Sequence, residues 1–554
     1  MTSVASVGSL LVVGQRSFKW LETSPLRLVP GALRGTSPRA VRRLLKADDM
    51  RTVSLTFLAF VGWTAATPDV RAAEVQRVTI DRAWLEKIAA ERAANPYAEP
   101  KAPLPRAFAQ MDYDDYRRIR FLPEKGLWYG AGLPYRAEFF HRGGLFQRPV
   151  RITEFTATHA QLVPFLRTNF DYQDLRVPRR TPEEMGYAGF RVLHELHEPG
   201  KWDEIVSFLG SNYFRALGRD HHYGLSARAV ALNSGGPGAE EFPDFVEFWL
   251  GKPEEGSDRV TIHALLDGPS VSGAYTFTVV PGDATTMQVH GTLFFRARVD
   301  NVGLAPLTSM FWFGEHSRDR QGDFRSEVHD SDGLLVLGAD QSRVWRPLRN
   351  PTGVTLTDTD VGAVAGFGLL QRDRTYSNYG DAEARYDLRP SAWVATAPDW
   401  PPGKTVLLEL PTDSEYHDNI VAYWRLERSP EAGERIDFRY ELHWTSAPTF
   451  GPEIGHVAST RRTHPSDPAA EVLWVVDFAS LPAGVDERRA DVQPVLDLPG
   501  GVQAVDVRLL HVAADDSWRV SARLKKADPS VPAEMTLRLR LDDADVTETW
   551  NHTW

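Results

Sequence analysis

The stretch Ile436-Asp-Phe-Arg-Tyr-Glu-Leu-His-Trp444 alternates apolar and polar residues without a break. Successive side chains of a β-strand point to opposite faces, so this alternation predicts a strand with one buried and one wet face. Other period-two stretches are punctuated by Gly and Pro at short intervals, as between Gly132 and Phe155. Such spacing favours antiparallel strands in a sandwich over βαβ units, and the predicted fold class is all-β.

Length and composition limit the classes of protein that the chain can belong to. It has 554 residues, of which 42% are hydrophobic and 25% charged, enough for two or more globular domains. A net charge of −11 argues against a nucleic-acid partner or an anionic membrane surface, and it is compatible with a neutral polyhydroxylated ligand. Cysteine is absent from the sequence, which excludes disulfides and zinc–thiolate sites.

The N-terminal region has the order of a secretory signal. Met50-Arg51 precedes the apolar run from Val53 to Trp63, and small residues follow up to Ala73. This run is too short to span a membrane, so we expect residues 1–73 to be a leader region that is absent from the mature chain. The preferred start of translation is Met50, which makes residues 1–49 an upstream misannotation or an unusual leader. Arg42-Arg43 leaves a Tat-type route open, but Ala47-Asp48-Asp49 separates it from the apolar run, and a Sec-type signal is preferred.

The mature chain is predicted to contain one helix, a large β-domain and a smaller one. Asp81 can cap a helix that Asn95-Pro96 stops, and we expect this helix to pack outside a sheet. A stretch rich in Pro, Ser, Thr and Gly follows Trp444, and four strand-length segments lie beyond it. We therefore predict a β-sandwich domain over residues 74–447 and an immunoglobulin-sized sandwich over residues 458–554.

Four segments place carboxylates or Tyr among Trp, Arg and Gly: Leu304–Gly314, Phe324–Leu334, Ala384–Val394 and Ser414–Trp424. This composition is typical of an aromatic-lined sugar cleft and predicts a carbohydrate-active protein. An indole can stack on the apolar face of a sugar, and we expect one or two of four Trp residues to do so: Trp312, Trp345, Trp393 and Trp424.

The motifs in these segments resemble a known family. PLTSMF, HDSDGL, GFGLLQR, RYDLRPSAWV and DNIVAYW, in this order, are similar to the periplasmic glucan biosynthesis family of G and D proteins, and the resemblance covers residues 74–554. It implies a galactose-mutarotase-like β-sandwich joined to an immunoglobulin-like β-sandwich, a periplasmic location, and β-1,2-linked glucan as substrate. It also implies inverting glycoside hydrolase or transglycosylase chemistry without a cofactor.

Cleavage of a glycosidic bond needs a proton donor and a base, which two carboxyl groups usually supply. Asp418 lies just before an apolar run, and its match to the family implies the general acid. Asp330, in the turn-like HDSDG, matches the general base, which acts through a relay that includes a substrate hydroxyl. Glu415 matches a residue that supports the acid or the sugar, and Tyr386 one that contacts substrate. Arg389 could donate hydrogen bonds to sugar hydroxyls, as a fixed fork of donors.

Several alternatives and partners follow from the same residues. A non-catalytic scaffold that holds glucan for a synthase or a branching enzyme is the alternative to an enzyme. Expected partners are β-1,2-glucan and, as candidates, a membrane glucan synthase and a second copy of the chain. The histidines of HELHEP and RDHHYG lack metal-ligand spacing, so no metal site is predicted, and Arg385 is expected to pair with Asp387.

Overall fold

The computed structural model describes residues 79–236, 238–317, 322–446, 453–463, 471–482, 485 and 491–554. The predicted leader lies outside these ranges. In the described part the α-helices are α1 Arg82–Ala93, α2 Arg106–Ala109, α3 Tyr113–Tyr116 and α4 Tyr376–Tyr379, with 3-10 turns at Pro123–Lys125, Arg167–Asn169, Glu183–Met185 and Tyr386–Leu388. Among these residues, no helix has the length and apolar character needed to cross a membrane.

Strands are the main regular secondary structure of the described chain. The first strands are β1 Arg120–Phe121, β2 Tyr135–Phe140, β3 Arg151–Phe155, β4 Ala160–Leu162, β5 Phe170–Asp171, β6 Gly189–His194, β7 Asp203–Leu209, β8 Tyr213–Ala216, β9 Ser226–Arg228, β10 Val230–Leu232, β11 Asp244–Gly251, β12 Val260–Asp267, β13 Val271–Val280, β14 Thr285–Phe295, β15 Val302–Ser309, β16 Phe311–Phe313 and β17 Val328–His329. They continue with β18 Gly333–Gly338, β19 Arg343–Pro347, β20 Thr355–Thr359, β21 Val364–Leu370, β22 Ser391–Thr396, β23 Gly403–Glu409, β24 Ile420–Leu426, β25 Arg435–Thr445, β26 His456–Thr463, β27 Glu471–Ala479, β28 Val492–Asp497, β29 Val502–Val512, β30 Ser517–Lys526, β31 Glu534–Leu541, β32 Ala544–Asp545 and β33 Thr549–Thr553.

Two large sheets face each other across the main core. One has the order β2-β6-β7-β8-β9-β15-β24-β23-β20, and the other β28-β31-β33-β19-β18-β21-β22-β25-β14-β13-β12-β11-β3-β4. Aromatic side chains join the two layers, as where the Phe208 ring lies 5.1 Å from that of Phe277 and the Phe190 ring 4.9 Å from that of Phe248. The predicted all-β sandwich is confirmed, and the quoted alternating stretch forms β25.

A second core covers the outer face of the longer sheet. The small sheet β26-β27-β30-β29 packs there, so that Trp474 and Phe478 share a buried cluster with Leu335 and Trp393 of the longer sheet. Successive residues of β18 alternate between the two cores, because Leu334 and Val336 belong to the first one. Strands β18, β21 and β22 are therefore buried on both faces.

The C-terminal strands also extend the longer sheet directly. Strand β33 pairs in parallel with β19, with Trp345 opposite Trp550, and β31 and β28 continue beyond it. All four C-terminal segments predicted from the sequence form strands: β27, β29, β30 and β31. Residues 447–452 lie outside the described ranges, and the division into domains at residues 447 and 458 stays a prediction.

The predicted N-terminal helix forms as expected. The Asp81 carboxylate accepts a hydrogen bond from the Trp84 backbone N–H at 2.8 Å, which caps α1. Leu85 and Ala89 are buried against β11, β12 and β13, and Trp84 meets Trp249 edge-on with ring centroids 5.1 Å apart. The helix therefore closes the outer face of the longer sheet at the end opposite to the second core.

We expect Leu85→Ala to lower the free energy of unfolding by about 2–5 kcal/mol, because it leaves a cavity between α1 and the sheet. Urea denaturation followed by tryptophan fluorescence measures this loss. Lys87→Ala, at an exposed position of the same helix, is the matched control and should change stability by no more than ~0.5 kcal/mol. Equal effects of the two substitutions would contradict the packing described.

Candidate active site

Strand order brings two predicted residues, Asp330 and Arg389, and a third, Gln371, to one end of the sandwich. Asp330 lies between β17 and the start of β18, Gln371 follows the end of β21, and Arg389 precedes the start of β22. Because the three strands are antiparallel neighbours, with Gly333 opposite Leu370 at this end, the segments carrying these side chains are adjacent. The candidate site is therefore built on strand ends that are fixed by two cores.

Arg389 holds the carboxylate of Asp330. Both side chains are buried, and Arg389 Nη1 forms an ion pair with Asp330 Oδ1. Arg389 Nε and Nη2 donate to the Ala384 carbonyl at 3.2 and 3.1 Å, and the guanidinium lies 4.2 Å from the centre of the Tyr386 ring. In this conformation Arg389 therefore orients the candidate base through Nη1, and the expectation that it donates hydrogen bonds to sugar hydroxyls stays a prediction.

Tyr386 and Glu415 extend this contact chain. Tyr386 is fully buried, and its hydroxyl donates to Glu415 Oε2 at 2.6 Å. Burial raises the pKa of Tyr386 well above its ordinary value, so the phenol keeps its proton and remains a donor. In this conformation Tyr386 supports Glu415, and the substrate contact implied by the resemblance would require the ring to be uncovered.

Arg325 joins Glu415 to two further carboxylates. Its Nη1 donates to Glu415 Oε2 at 2.7 Å and to Asp381 Oδ2 at 2.9 Å, while Nε and Nη2 donate to the two oxygens of Asp323 at 3.0 and 2.9 Å. These hydrogen bonds raise the pKa of Arg325 further above its ordinary value. One guanidinium thus fixes three segments of chain that are far apart in sequence.

The loop that carries Asp418 is held beside the Asp330 turn. Asn419 accepts from the Phe311 backbone N–H at 2.8 Å and donates to the Phe311 carbonyl at 3.0 Å. The Asp330 backbone N–H donates to the carbonyl of Met310 at 2.8 Å. Since Met310 and Phe311 are consecutive, the segments of the two candidate carboxylates are anchored at the same place, and β24 begins two residues after Asp418, as the sequence suggested.

Asp418 interacts electrostatically with a buried arginine, Arg228, that sequence reasoning missed. Burial lowers the pKa of Arg228, but its interactions with Tyr213, Glu240 and Asp418 outweigh this effect and leave the pKa raised. Arg228 Nη1 donates to Glu240 Oε1 at 2.8 Å, and its guanidinium lies 4.9 Å from the centre of the Tyr213 ring. A lone Arg inside the apolar stretch around Ala227–Leu232 was the signal that could have identified it.

The four tryptophans proposed as sugar platforms have different surroundings. Trp393 and Trp424 are buried, Trp424 donating from Nε1 to the Pro401 carbonyl at 2.9 Å, and Trp345 is buried under Arg372, whose Cζ lies 3.6 Å from its ring centre. These three indoles are covered by protein in this structure and do not offer a face to a sugar. Trp312 is half-buried with its ring centre 5.9 Å from Arg325 Cζ, so it remains the candidate.

A buried histidine cluster beside Asp330 was also missed. The Gln371 amide donates from Nε2 to the Tyr379 hydroxyl at 2.9 Å and to the carbonyls of His329 and Tyr386 at 3.2 and 3.1 Å. This fixes the amide orientation, so Gln371 Oε1 is the acceptor that faces His329 Nδ1 at 3.0 Å. Nδ1 therefore carries a proton.

Two carboxylates face the other nitrogen of this ring. His329 Nε2 lies 2.9 Å from Glu327 Oε2 and 3.6 Å from Asp332 Oδ1. Burial lowers the pKa of His329, but the two carboxylates outweigh it and raise the pKa to about 9, so the ring is an imidazolium at neutral pH. The ligand atoms of these three residues lie within 4.8 Å of one another, close enough to share a metal ion, and the imidazolium proton supplies the positive charge between them.

This cluster lines a cavity of ≈ 30 Å³ between the Asp330 turn and β26. Glu315 also lines it, and burial raises the pKa of Glu315 to about 8. A cavity of this volume has room for about one water molecule.

Arg385 and the histidines of HELHEP and RDHHYG make local contacts. Arg385 donates to both carboxylate oxygens of Asp387 at 3.0 and 2.8 Å, as predicted. His221 accepts from the Gly218 backbone N–H at 2.9 Å, and His197 Nδ1 lies 2.8 Å from Asp203 Oδ2. These histidines are hydrogen-bonded, as expected.

We expect His329→Gln to flatten the dependence of stability on pH. The pKa of His329 is raised on folding from about 6.5 to about 9, so its stabilisation is complete below pH 6.5 and is lost as the pH rises through 9. The parent should therefore lose on the order of a few kcal/mol more than the variant between pH 6.5 and 9 in urea denaturation. His159→Gln, at an exposed site, should keep the parental slope, and parallel curves for parent and His329→Gln would refute the assignment.

Known proteins are similar to this chain over nearly its whole described length. Residues 80–554 match the family described as "Periplasmic glucan biosynthesis protein, MdoG". "Glucans biosynthesis protein G" of Pseudomonas paraeruginosa is 38% identical over 525 residues, covering 92% of this chain and 96% of the relative. The proteins of the same name from Vibrio cholerae and Shewanella frigidimarina are each 39% identical, over 88% and 84% of this chain and 90% and 83% of their own length. The chain belongs to the periplasmic glucan biosynthesis family.

Proposed function

We propose that the chain is a periplasmic enzyme that cleaves or transfers β-1,2-linked glucan with inversion at the anomeric carbon. The observation that carries this proposal is the anchoring of the Asp330 turn and the Asp418 loop to the consecutive residues Met310 and Phe311. Inverting hydrolysis needs two carboxyl groups that act on one glycosidic bond from different sides. The anchoring of two carboxylates on adjacent, separately fixed segments supports their assignment as such a pair.

In the proposed mechanism Asp418 is the general acid and Asp330 the general base. Asp418 gives its proton to the departing glycosidic oxygen as the bond to the anomeric carbon breaks. Asp330 receives the proton of the attacking water through a substrate hydroxyl, so the two carboxyl groups need not have the separation usual for inverting pairs. If a sugar hydroxyl replaces the water, the same step forms a new glycosidic bond, and the enzyme is a transglycosylase that can also produce a ring.

The neighbouring residues hold the carboxylates of the site in fixed orientations. Arg389 orients the Asp330 carboxylate, and Tyr386 and Arg325 hold Glu415 three residues before Asp418. A group held by packing and by hydrogen bonds needs little reorganisation during the reaction, which favours catalysis. These contacts support a site prepared for chemistry.

The partners and the export route complete the proposal. The ligand is linear or cyclic β-1,2-glucan, and a membrane glucan synthase or a second copy of the chain are the candidate protein partners. A Sec-type leader that starts at Met50 and ends before Glu74 would deliver the chain to the periplasm. A glucan-holding scaffold would use the same partners without turnover.

We expect Asp418→Asn to lower turnover of linear β-1,2-glucan by about a hundredfold or more, the usual scale for loss of an acid or a base. The mature chain from Glu74 is incubated with the glucan, and the products are resolved by size and by mass. Shorter linear products identify a hydrolase, and products lighter than the linear ones by one water identify a cyclising transferase.

Asp413→Asn is the matched control, because Asp413 is an exposed carboxylate of the same loop. It should keep parental turnover, and circular dichroism should show that both variants are folded. Near-parental turnover by Asp418→Asn would refute the acid assignment. Binding of glucan without turnover by the parent would support the scaffold.

A further inference from the structure

The Arg325 contacts define one patch of surface at the candidate site. This guanidinium binds Asp323 on its own segment, Asp381 after α4, and Glu415 before the Asp418 loop. Its side chain is mostly buried by these contacts. The three segments are therefore fixed around a single point on the protein.

Each of these three segments exposes one large aromatic side chain. Phe324 is 83% exposed, Tyr416 is 59% exposed and Tyr376 is 45% exposed. Phe324 and Tyr416 are sequence neighbours of Arg325 and Glu415, and the ring of Tyr376 lies 5.6 Å from the guanidinium of Arg385 in the segment that begins at Asp381. We call these three residues the aromatic rim.

The chemistry of the rim suits a sugar better than other ligands. Exposed rings offer apolar faces on which the C–H face of a pyranose can stack, and the adjacent carboxylates accept hydrogen bonds from hydroxyl groups. Arg325 is already shared by three carboxylates, so this guanidinium gives no surplus positive charge to an anionic ligand. A neutral polyhydroxylated chain meets both conditions.

The rim offers exposed rings where three of the four candidate tryptophans are buried. Trp345, Trp393 and Trp424 are buried in the two cores, which leaves the half-buried Trp312 beside Arg325 as the remaining indole of that set. Trp312 and Phe324 share the Arg325 guanidinium as a neighbour, since the Phe324 ring centre lies 5.8 Å from Arg325 Cζ and that of Trp312 lies 5.9 Å from it. Tyr416 and Tyr376 belong to the two other segments that Arg325 joins through Glu415 and Asp381.

We infer that Phe324, Tyr376 and Tyr416 form a pyranose-stacking surface that binds glucan residues beyond the scissile bond. This inference rests on the proposed function for the identity of the glucan, and it assigns the binding of the remote sugar units to three residues outside the catalytic pair. Loss of one ring should weaken glucan binding, because the sugar face that stacked on that ring would then be in contact with water.

The test is calorimetric titration of linear β-1,2-glucan into the mature chain carrying Asp418→Asn, which prevents consumption of the probe. In that background Phe324→Ala, Tyr376→Ala and Tyr416→Ala should each weaken binding by about five- to tenfold, the scale of one aromatic stacking contact. Phe324→Trp should retain binding, because an indole offers the same apolar face. Leu510→Ala, at a 62% exposed apolar position of the small sheet, is the matched control and should leave binding unchanged.

The outcomes separate this inference from the proposed function. If the three alanine variants bind glucan as tightly as their background, or if the background does not bind glucan, the rim is refuted. If the alanine variants bind as tightly as their background but the chain without substitutions turns over glucan, the rim is refuted and the proposed catalytic function stands. Weakened binding by the rim variants, together with no turnover by the parent, would support the rim and refute the catalytic proposal.

Discussion

The arrangement depends on three strands that are buried on both faces. In β18, Leu334 and Val336 face the main core while Leu335 and Leu337 face the second core, and β21 and β22 alternate in the same way. A one-residue slip would exchange two apolar faces, so hydrophobicity alone does not specify the register. The size of the side chains specifies the register instead. A Cβ on Gly368 would come within 2.9 Å of the Trp393 ring, and one on Gly333 within 2.4 Å of Trp345.

This constraint explains the position of the candidate site. Asp330, Gln371 and Arg389 lie at the ends of these doubly buried strands, where the chain leaves the core but its direction is already fixed. Side chains on rigid elements are held more precisely than side chains on free loops. The Asp418 loop comes from the opposite sheet, and Asn419 fixes it to the backbone of Phe311. The site is therefore assembled where the two sheets of the main sandwich meet at one end.

The sequence predicted what depends on local pattern. The alternation from Ile436 to Trp444 forms β25, Asp81 caps α1, and Arg385 pairs with Asp387, because each depends on residues close in the chain. The sequence did not show which three of the four tryptophans are buried, and the reason is physical. A strand covered by a second sheet has the same alternation of residues as one with a wet face, and the covering strands of Trp393 lie beyond residue 456. The Arg325 cluster was missed because Glu415 lies 90 residues away in the sequence. The His329 cluster has two close partners, Glu327 and Asp332, but Gln371, which fixes the proton on Nδ1, lies 42 residues away.

The concentration of buried ion pairs near Asp330 needs an explanation other than stability. Moving charges out of water costs several kcal/mol per ion, and an apolar replacement of a buried pair is often neutral or more stable. Here Arg389 with Asp330, and His329 with Glu327 and Asp332, occupy positions beside strands that are otherwise apolar. Charged pairs fix the orientation of a carboxylate, because each of their hydrogen bonds is directional. Apolar packing does not do this. A site that must present carboxylates to a sugar in one geometry gains from that directionality, whereas the α1 face, which has only to exclude water, is built from Leu85, Ala89 and Trp249.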